Sequence, residues 1–215
     1  MRTAATIPQL GFEVLGAERL EHAAVPTVRF ALCVRSAPEE DIRSVLLDVQ
    51  VQIAARRRHY DEAAFARLSE LFGPPAGWGT GLHTLLWART TLVVPPFTAS
   101  TVVELPLPCT YDTEVAAAKY LDALRDGDVP LEFLFSGTVL FASETGQLQA
   151  TRISWEEEAE YRMPVRIWRE TMDRYFPGTA WLRLPRESYD KLCDYKARRA
   201  LASWEETVDA LLREA

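Results

Sequence analysis

The sequence has no residue pattern that marks a known reaction or a bound metal. Its three histidines are far apart, and no Cys-x-x-Cys or His-x-x-x-His pair of the kind that binds zinc is present. No Gly-x-Ser-x-Gly motif for a nucleophilic serine occurs either. We therefore predict a protein that is not an enzyme and that has no catalytic residues, no cofactor and no metal site.

The chain also lacks the features of secreted, membrane-spanning and nucleic-acid-binding proteins. Its apolar runs fall far short of the roughly 20 residues that span a bilayer, and residues 1–8 include no apolar signal segment. Three widely spaced cysteines argue against a disulfide framework. A formal net charge of −7 opposes general binding of nucleic acid. We expect a cytoplasmic protein that neither inserts into a membrane nor binds nucleic acid.

What the sequence does have is the composition of a folded domain and a β-rich first half. Hydrophobic residues make up 48% and charged residues 26% of its 215 residues, which is ordinary for a globular protein. Apolar and polar residues alternate in several segments, as in strands with one buried face. Gly137, inside one of them, is interpreted as a β-bulge. Strands are predicted near Phe12 and Val14 and over residues 28–34, 45–53, 83–94, 101–107, 131–141 and 148–161.

Helices are predicted in the middle and at the end of the chain. Asp112 is a predicted N-cap, and Pro164 and Pro185 suit the first turns of two helices. Ser203 and Glu206 have the spacing of a capping box. Apolar residues recur at helical spacing over residues 65–72, 115–124, 165–172, 189–193 and 204–212, with a short strand predicted over 181–184.

Strands that come mainly first and helices that come mainly last indicate an α+β fold. We predict an antiparallel β-sheet or sandwich with inserted short helices and a C-terminal helical segment. An immunoglobulin-like β-sandwich with appended helices is the alternative. No change in composition marks a linker, so residues 1–215 are predicted to form a single domain, with a mainly β core over 1–161 and a mainly helical segment over 162–215.

Two aromatic residues in predicted loops are candidates for binding a protein partner. Trp78 lies in Gly-Trp-Gly-Thr-Gly at 77–81, where no Lys-Ser or Lys-Thr follows to indicate a phosphate loop. Phe97 follows two prolines. Packing in the core is the alternative for both side chains. We predict Trp78 as the main contact residue, because an exposed aromatic on a glycine loop is typical of an interface.

Charged clusters and one cysteine are the other candidate sites. Arg56, Arg57 and Arg58 follow the clearest strand and are candidates for binding an acidic partner, with an ordinary exposed turn as the alternative. The glutamate-rich run over 156–160 is interpreted as a solvated face that protects an edge strand. Cys109 precedes a predicted helix, whose dipole would lower the pKa of its thiol. It is the candidate nucleophile if the protein is an enzyme.

The central block of the chain carries four distinctive segments. They are Val-Pro-Pro-Phe at 94–97, Leu-Pro-Leu-Pro-Cys-Thr-Tyr-Asp at 105–112, Glu-Val-Ala-Ala-Ala-Lys-Tyr at 114–120 and Phe-Leu-Phe-Ser-Gly-Thr-Val at 133–139. These segments, with Leu-Phe-Gly-x-Pro before them and Trp-Leu-Arg-Leu after them, resemble a bacterial family of unknown function over nearly the whole chain. Members of that family are encoded near high-affinity NiFe uptake hydrogenases and their accessory genes. The resemblance implies no activity and no catalytic residues.

The order of the elements carries a second similarity. Pro-Gln-x-x-Phe-Glu-Val near the start, the strand over 45–53, Met163-Pro164 opening a helix, and the 181–184 strand followed by another helix are similar to the SecB export chaperones. Residues 54–125 would be an insertion in that fold. This resemblance implies a holdase, which requires an exposed apolar groove and a homo-oligomer.

Three functions follow from these observations. The leading prediction is a non-enzymatic binding or assembly accessory protein, linked to NiFe hydrogenase biogenesis, whose protein partner is a hydrogenase subunit or maturation factor. The alternatives are a SecB-like holdase chaperone and an enzyme with a dispersed active site. A long apolar groove would favour the holdase, and a deep pocket with convergent titratable groups would favour the enzyme.

Overall fold

The computed structural model describes residues 7–37, 41–109, 115–143, 146–179 and 184–214. Its contacts divide the chain into two compact units, residues 1–178 and 179–215. The boundary lies inside the segment over 162–215 that the sequence predicts to be mainly helical. Folding of the whole chain as a single domain stays a prediction.

The first unit is built on two antiparallel β-sheets with helices inserted between strands. The smaller sheet has the strand order β1-β2-β6, and the larger has the order β4-β3-β7-β8, with β5 paired to β3 and β9 paired to β7. This architecture confirms the predicted α+β fold. The described strands are β1 (Gln9–Arg19), β2 (Thr27–Ala37), β3 (Asp41–Ile53), β4 (Leu85–Val94), β5 (Phe97–Thr98), β6 (Ser100–Pro108), β7 (Asp128–Ala142), β8 (Leu148–Arg152) and β9 (Glu158–Pro164).

The core of the first unit lies between the two sheets. Along β3 the residues alternate between a buried face, which includes Leu47 and Ile53, and an exposed face, because successive side chains of a strand point to opposite sides. Phe30 of the smaller sheet meets Phe133 of the larger one edge to face, with ring centroids 5.2 Å apart. The two sheets therefore pack face to face as a sandwich.

Helices α1 (Glu62–Phe72), α2 (Trp78–Gly81), α3 (Val115–Ala123) and α4 (Val165–Tyr175) complete the first unit. Asp61 caps the N-terminus of α1, and its side chain accepts a hydrogen bond from the Ala64 backbone N–H at 2.6 Å. The loops and helices between β3 and β7 bring together five aromatic rings, here called the aromatic cluster. Its members are Tyr60, Phe65, Phe72, Trp78 and Tyr120.

The edge of the larger sheet differs from the single strand predicted over 148–161. β8 and β9 both pair with β7, but β8 ends at Arg152 and β9 begins at Glu158. Thr138 lies opposite Arg152, and Leu134 lies opposite Glu158, so β7 advances four residues while the edge segment advances six. The two additional residues cannot pair, and the chain leaves the sheet in a turn.

The second unit consists of helices α5 (Arg186–Arg198) and α6 (Trp204–Glu214). α5 begins after Pro185, as predicted. The Ser203 hydroxyl accepts a hydrogen bond from the Glu206 backbone N–H at 3.0 Å, and the Glu206 carboxylate accepts one from the Ala202 backbone N–H at 2.7 Å. The predicted cap of α6 is thus confirmed, with Ala202 as the second donor. Thr207 is the one buried residue in these two helices.

Most of the predicted elements are confirmed to within a few residues. The predicted N-cap Asp112 and most of the strand predicted over 181–184 fall outside the residues that the structure describes. In the described part of the chain, no helix has both the length and the apolar character needed to cross a membrane.

Candidate interaction surface

Trp78 is a core residue, which corrects the prediction that it is the main contact residue on an exposed loop. Its side chain is only 4% exposed, and its ring lies 4.6 Å from Phe65 and 5.4 Å from Tyr60, centroid to centroid. Its indole N–H donates a hydrogen bond to the Gly73 carbonyl at 2.9 Å. The glycine segment forms helical turns that direct the indole into the aromatic cluster, so Trp78 is not available to a partner.

Phe97 is also buried, contrary to its prediction as a partner-binding residue. After Pro95 and Pro96 the chain turns back, and the short strand β5 pairs with the start of β3, where Phe97 lies opposite Ile42. Both side chains belong to the buried core. The two prolines end β4 and turn the chain back to the sheet. Phe97 then packs into the core.

The guanidinium groups of the arginine triplet have partners within the chain. Arg58 donates to the carbonyls of Asp126 and Asp128, and its side chain is only 10% exposed. Arg56 donates to the Leu82 carbonyl at 3.1 Å. Arg58 is therefore a structural anchor, whereas Arg56 remains exposed.

Arg57 is exposed and forms ion pairs with Glu160 and Glu132. The hydrogen bond that Arg57 donates to Glu160, and then the charges of Glu132 and Glu160, raise the pKa of the Arg57 guanidinium. Binding of an acidic partner by Arg56 and Arg57 stays a prediction.

Cys109 is a poor candidate for a nucleophile. Its thiol is buried and donates to the Leu107 carbonyl at 3.3 Å. Burial raises its pKa to about 12, opposite to the lowering expected from a helix dipole. The dispersed-active-site alternative therefore loses its one named residue.

Thiol labelling is expected to separate Cys109 from Cys193. At pH 8, a thiol with a pKa of about 12 is ionised in about one molecule in ten thousand, and only the thiolate reacts. Iodoacetamide should therefore leave Cys109 unmodified in the native protein and label the half-buried Cys193, as measured by peptide mass spectrometry. Urea should make Cys109 reactive. Labelling of native Cys109 as fast as Cys193 would contradict this assignment.

Trp155 is the most exposed large hydrophobic residue of the described chain, at 86%. It lies in the turn between β8 and β9, here called the Trp155 turn (residues 154–157). The Glu157 backbone N–H donates to the Ser154 carbonyl at 3.3 Å, which closes the turn. The Ser154 hydroxyl accepts a hydrogen bond from the Glu156 backbone N–H at 3.4 Å.

Both ends of the Trp155 turn are fixed to β7. The Ile153 backbone N–H donates to the Gly137 carbonyl, and the Phe135 backbone N–H donates to the Glu157 carbonyl, each at 3.1 Å. Ile153 packs against the core on one side of the turn, and Ala159 is buried on the other. An indole is thus presented to solvent from a backbone that is held on both sides.

The Trp155 turn is acidic. Residues 146–161 include four carboxylates, Glu156, Glu157, Glu158 and Glu160, and one guanidinium, that of Arg152. Glu160 pairs with Arg57. Within the described residues, no basic side chain forms an ion pair with Glu156, Glu157 or Glu158. Partial burial, and then the neighbouring charge of Glu156, raise the pKa of Glu157.

Sequence reasoning missed Trp155 as a surface residue. The continuous strand predicted over 148–161 would put Trp155 on the same face as Ala159 and Tyr161, because alternate residues of a strand share a face. The available signal was its position directly before three glutamates, where a strand with a buried face has no room for three charges in a row.

A depression of about 410 Å³ lies on the outer face of the smaller sheet. Arg29 crosses it between Glu18 and Glu104, with 2.6 Å to Glu104. Its lining has no histidine, cysteine or hydroxyl group. Among the described residues, no three His, Cys, Asp or Glu side chains are grouped so that they could hold a metal ion. The absence of metal and cofactor from the protein stays a prediction.

Several solved structures are similar to this chain at low identity. The CARDB domain of a Pyrococcus furiosus protein, in complex with di-metal ions, is 12% identical with a TM-score of 0.30, and the match covers 75% of this chain and 96% of that one. The putative ApaA protein from Bordetella pertussis is 11% identical with a TM-score of 0.24, over 74% and 96% of the two chains. β-Glucosidase 3B from Thermotoga neapolitana, in complex with α-D-glucose, is 12% identical with a TM-score of 0.26, over 72% and 17%.

Likenesses of this size carry no argument about the chain. No curated protein matches it. The family model of DUF6084, a family of unknown function, matches residues 7–215. This match confirms the prediction that the chain resembles a family of unknown function.

Proposed function

The chain belongs to the DUF6084 family of unknown function, and we propose that it is a non-enzymatic binding or assembly protein that docks a protein partner through the Trp155 turn. The observation that carries this proposal is an indole that is 86% exposed on a backbone fixed at both ends. A rigid aromatic side chain loses little conformational entropy when a partner covers it, which is why Trp is frequent among interface hot spots.

The size of the indole supports this role. A tryptophan buries roughly 150–250 Å² in a contact, which corresponds to roughly 4–6 kcal/mol at about 25 cal/mol per Å² before the costs of association. Truncation of a hot-spot residue typically costs about 2 kcal/mol or more of binding free energy. One residue of this kind can therefore decide whether a partner is retained.

We propose a NiFe hydrogenase subunit or maturation factor in the cytoplasm as the partner. Support for this choice comes from the family that the central segments resemble, because members of that family are encoded near uptake hydrogenases. Gene neighbourhood indicates a shared process and leaves the contact itself to be measured.

Capture from a native lysate tests the proposal. Immobilised wild-type protein is expected to retain a hydrogenase subunit or maturation factor, identified by mass spectrometry. Trp155→Ala should weaken that capture by about 2 kcal/mol, or roughly thirtyfold. Trp204→Ala, at a tryptophan that is 44% exposed in the second unit, serves as the matched control and should leave capture unchanged. Equal retention by wild type and Trp155→Ala would contradict the proposal.

A SecB-like holdase is the second candidate function, and one observation favours it. On the outer face of the larger sheet, Leu46 lies directly opposite Val93, and the two are 48% and 63% exposed. Leu148, at 66% exposure, lies on β8 of the same sheet. A holdase would suppress aggregation of an unfolding protein and would sediment as a homo-oligomer. A protein that only docks one partner through the Trp155 turn would show neither property.

A further inference from the structure

We infer that the Trp155 turn recognises a basic segment of its partner, one that carries arginine or lysine side chains. The inference rests on the proposed function and specifies the chemistry of the partner. It is carried by two features that meet at one place, the solvent-exposed indole and the carboxylates next to it that have no ion-pair partner in the described chain.

The indole supplies the first half of the recognition. The face of a tryptophan ring carries a negative quadrupole, and it attracts an ammonium or guanidinium group within about 6 Å of the ring centre. The second unit shows the same chemistry inside the chain, where the Lys196 ammonium lies 5.8 Å from the centroid of Trp204. Among the described residues, no lysine or arginine lies over the Trp155 ring, so its faces are open to a cation from a partner.

The carboxylates supply the second half. Glu156 directly follows the indole and is exposed, and Glu157 is half-buried beside it. The repulsion between these two like charges contributes to the raised pKa of Glu157. A cation between them would relieve that repulsion and form a charge-assisted hydrogen bond. A neutral apolar partner would instead have to desolvate both carboxylates without compensation.

Nearby basic residues do not neutralise this surface. Arg57 is engaged by Glu132 and Glu160, and Arg152 lies on β8, before the turn. The chain as a whole has a net charge of −7, so long-range attraction also favours a basic partner. That general attraction must be separated from recognition at the turn, and the control variants below do so.

The probe is a fluorescein-labelled peptide, Gly-Arg-Gly-Arg-Gly-Arg-Gly, titrated with the full-length protein and followed by fluorescence anisotropy. A second peptide has citrulline in place of each arginine, which keeps the shape and removes the charge. The wild type should bind the arginine peptide at least about tenfold more tightly than the citrulline peptide. Trp155→Ala and the double variant Glu156→Gln/Glu157→Gln should each weaken binding of the arginine peptide about tenfold.

The matched controls are Trp204→Ala and the double variant Glu205→Gln/Asp209→Asn, which change an exposed indole and two exposed carboxylates in the second unit. They should change affinity by less than about twofold. Circular dichroism melting should show that every variant folds, because the altered side chains of the turn are exposed or half-exposed.

Three outcomes would overturn the inference. The first is no binding of the arginine peptide or equal binding of both peptides, and the second is an equal loss in the control variants, which would mean attraction to net charge alone. The third is a wild-type dimer in sedimentation that Trp155→Ala dissociates, which would identify a second copy of the chain as the occupant. If Trp155→Ala abolishes capture from lysate but no peptide binds, the proposed function stands and the basic partner falls.

Discussion

Replacing Gly137 by alanine is expected to lower the free energy of unfolding by about 4 kcal/mol. Gly137 has φ of 142° and lies opposite Leu47 in the central β3–β7 pairing. A Cβ atom at this position would lie 2.0 Å from the Leu46 carbonyl oxygen. To relieve this clash, either the two strands must separate or residue 137 must adopt a different φ. Both changes disturb the core on the other face of the sheet. Urea denaturation, with the transition followed by circular dichroism, measures the change.

Gly11→Ala is the matched control for this substitution. Gly11 lies in β1 opposite Arg35, and an added Cβ would meet no atom within 4 Å. Its replacement should change the free energy of unfolding by less than about 1 kcal/mol, because the added methyl group is free of clashes. Similar small effects for both glycines would mean that β7 can adjust at Gly137 and that the close approach is not a constraint.

Gly137 also shows what a single sequence cannot provide. A glycine inside a strand indicates either a bulge or a close backbone approach, and the sequence predicts the bulge. The register of β3 with β7 is unbroken from Ser44 to Ile53, so the predicted bulge is wrong on that side. The close approach depends on the partner strand, whose position is set by tertiary packing.

Strand periodicity was the most reliable signal in the sequence. The alternation of apolar and polar residues over 45–53 correctly predicts β3 and its buried face. That face follows from the local alternation, because a shift of register by one residue would expose every apolar side chain. The same reasoning failed over 148–161, where two additional residues on the edge displace Trp155 from the sheet. The three successive glutamates after Trp155 are the sign of this break in the sequence.

Trp78 and Trp155 therefore lie in environments opposite to those that their local sequences indicate. Trp78 lies among glycines, which suggested exposure, yet its ring partners come from α1 and from Tyr60. Trp155 lies in an alternating segment, which suggested burial, yet it is exposed. The burial of Trp78 depends on how α1 and the loop before it fold back onto the indole, and the exposure of Trp155 depends on pairing with β7. Local composition contains neither kind of information.

Trp78→Ala is expected to lower the free energy of unfolding by about 3–5 kcal/mol, the usual cost of removing a large aromatic side chain from a core. The substitution removes ring contacts with Tyr60, Phe65 and Phe72 and leaves the Gly73 carbonyl without its indole donor. It also opens a cavity beside the hydroxyl pair of Tyr60 and Tyr120, whose oxygens are 2.7 Å apart. Urea denaturation and thermal melting both measure the loss.

Two further variants make this result specific. Trp78→Phe keeps an aromatic ring but removes the indole N–H, so about 1–2 kcal/mol should be lost. Trp155→Ala removes the same side chain from a position that is 86% exposed, and it should change the free energy of unfolding by less than about 0.5 kcal/mol. The pair of tryptophans thus separates stability from binding, since Trp78→Ala should destabilise the fold and Trp155→Ala should weaken only partner capture. A stable Trp78→Ala protein that has lost its partner would reverse both assignments.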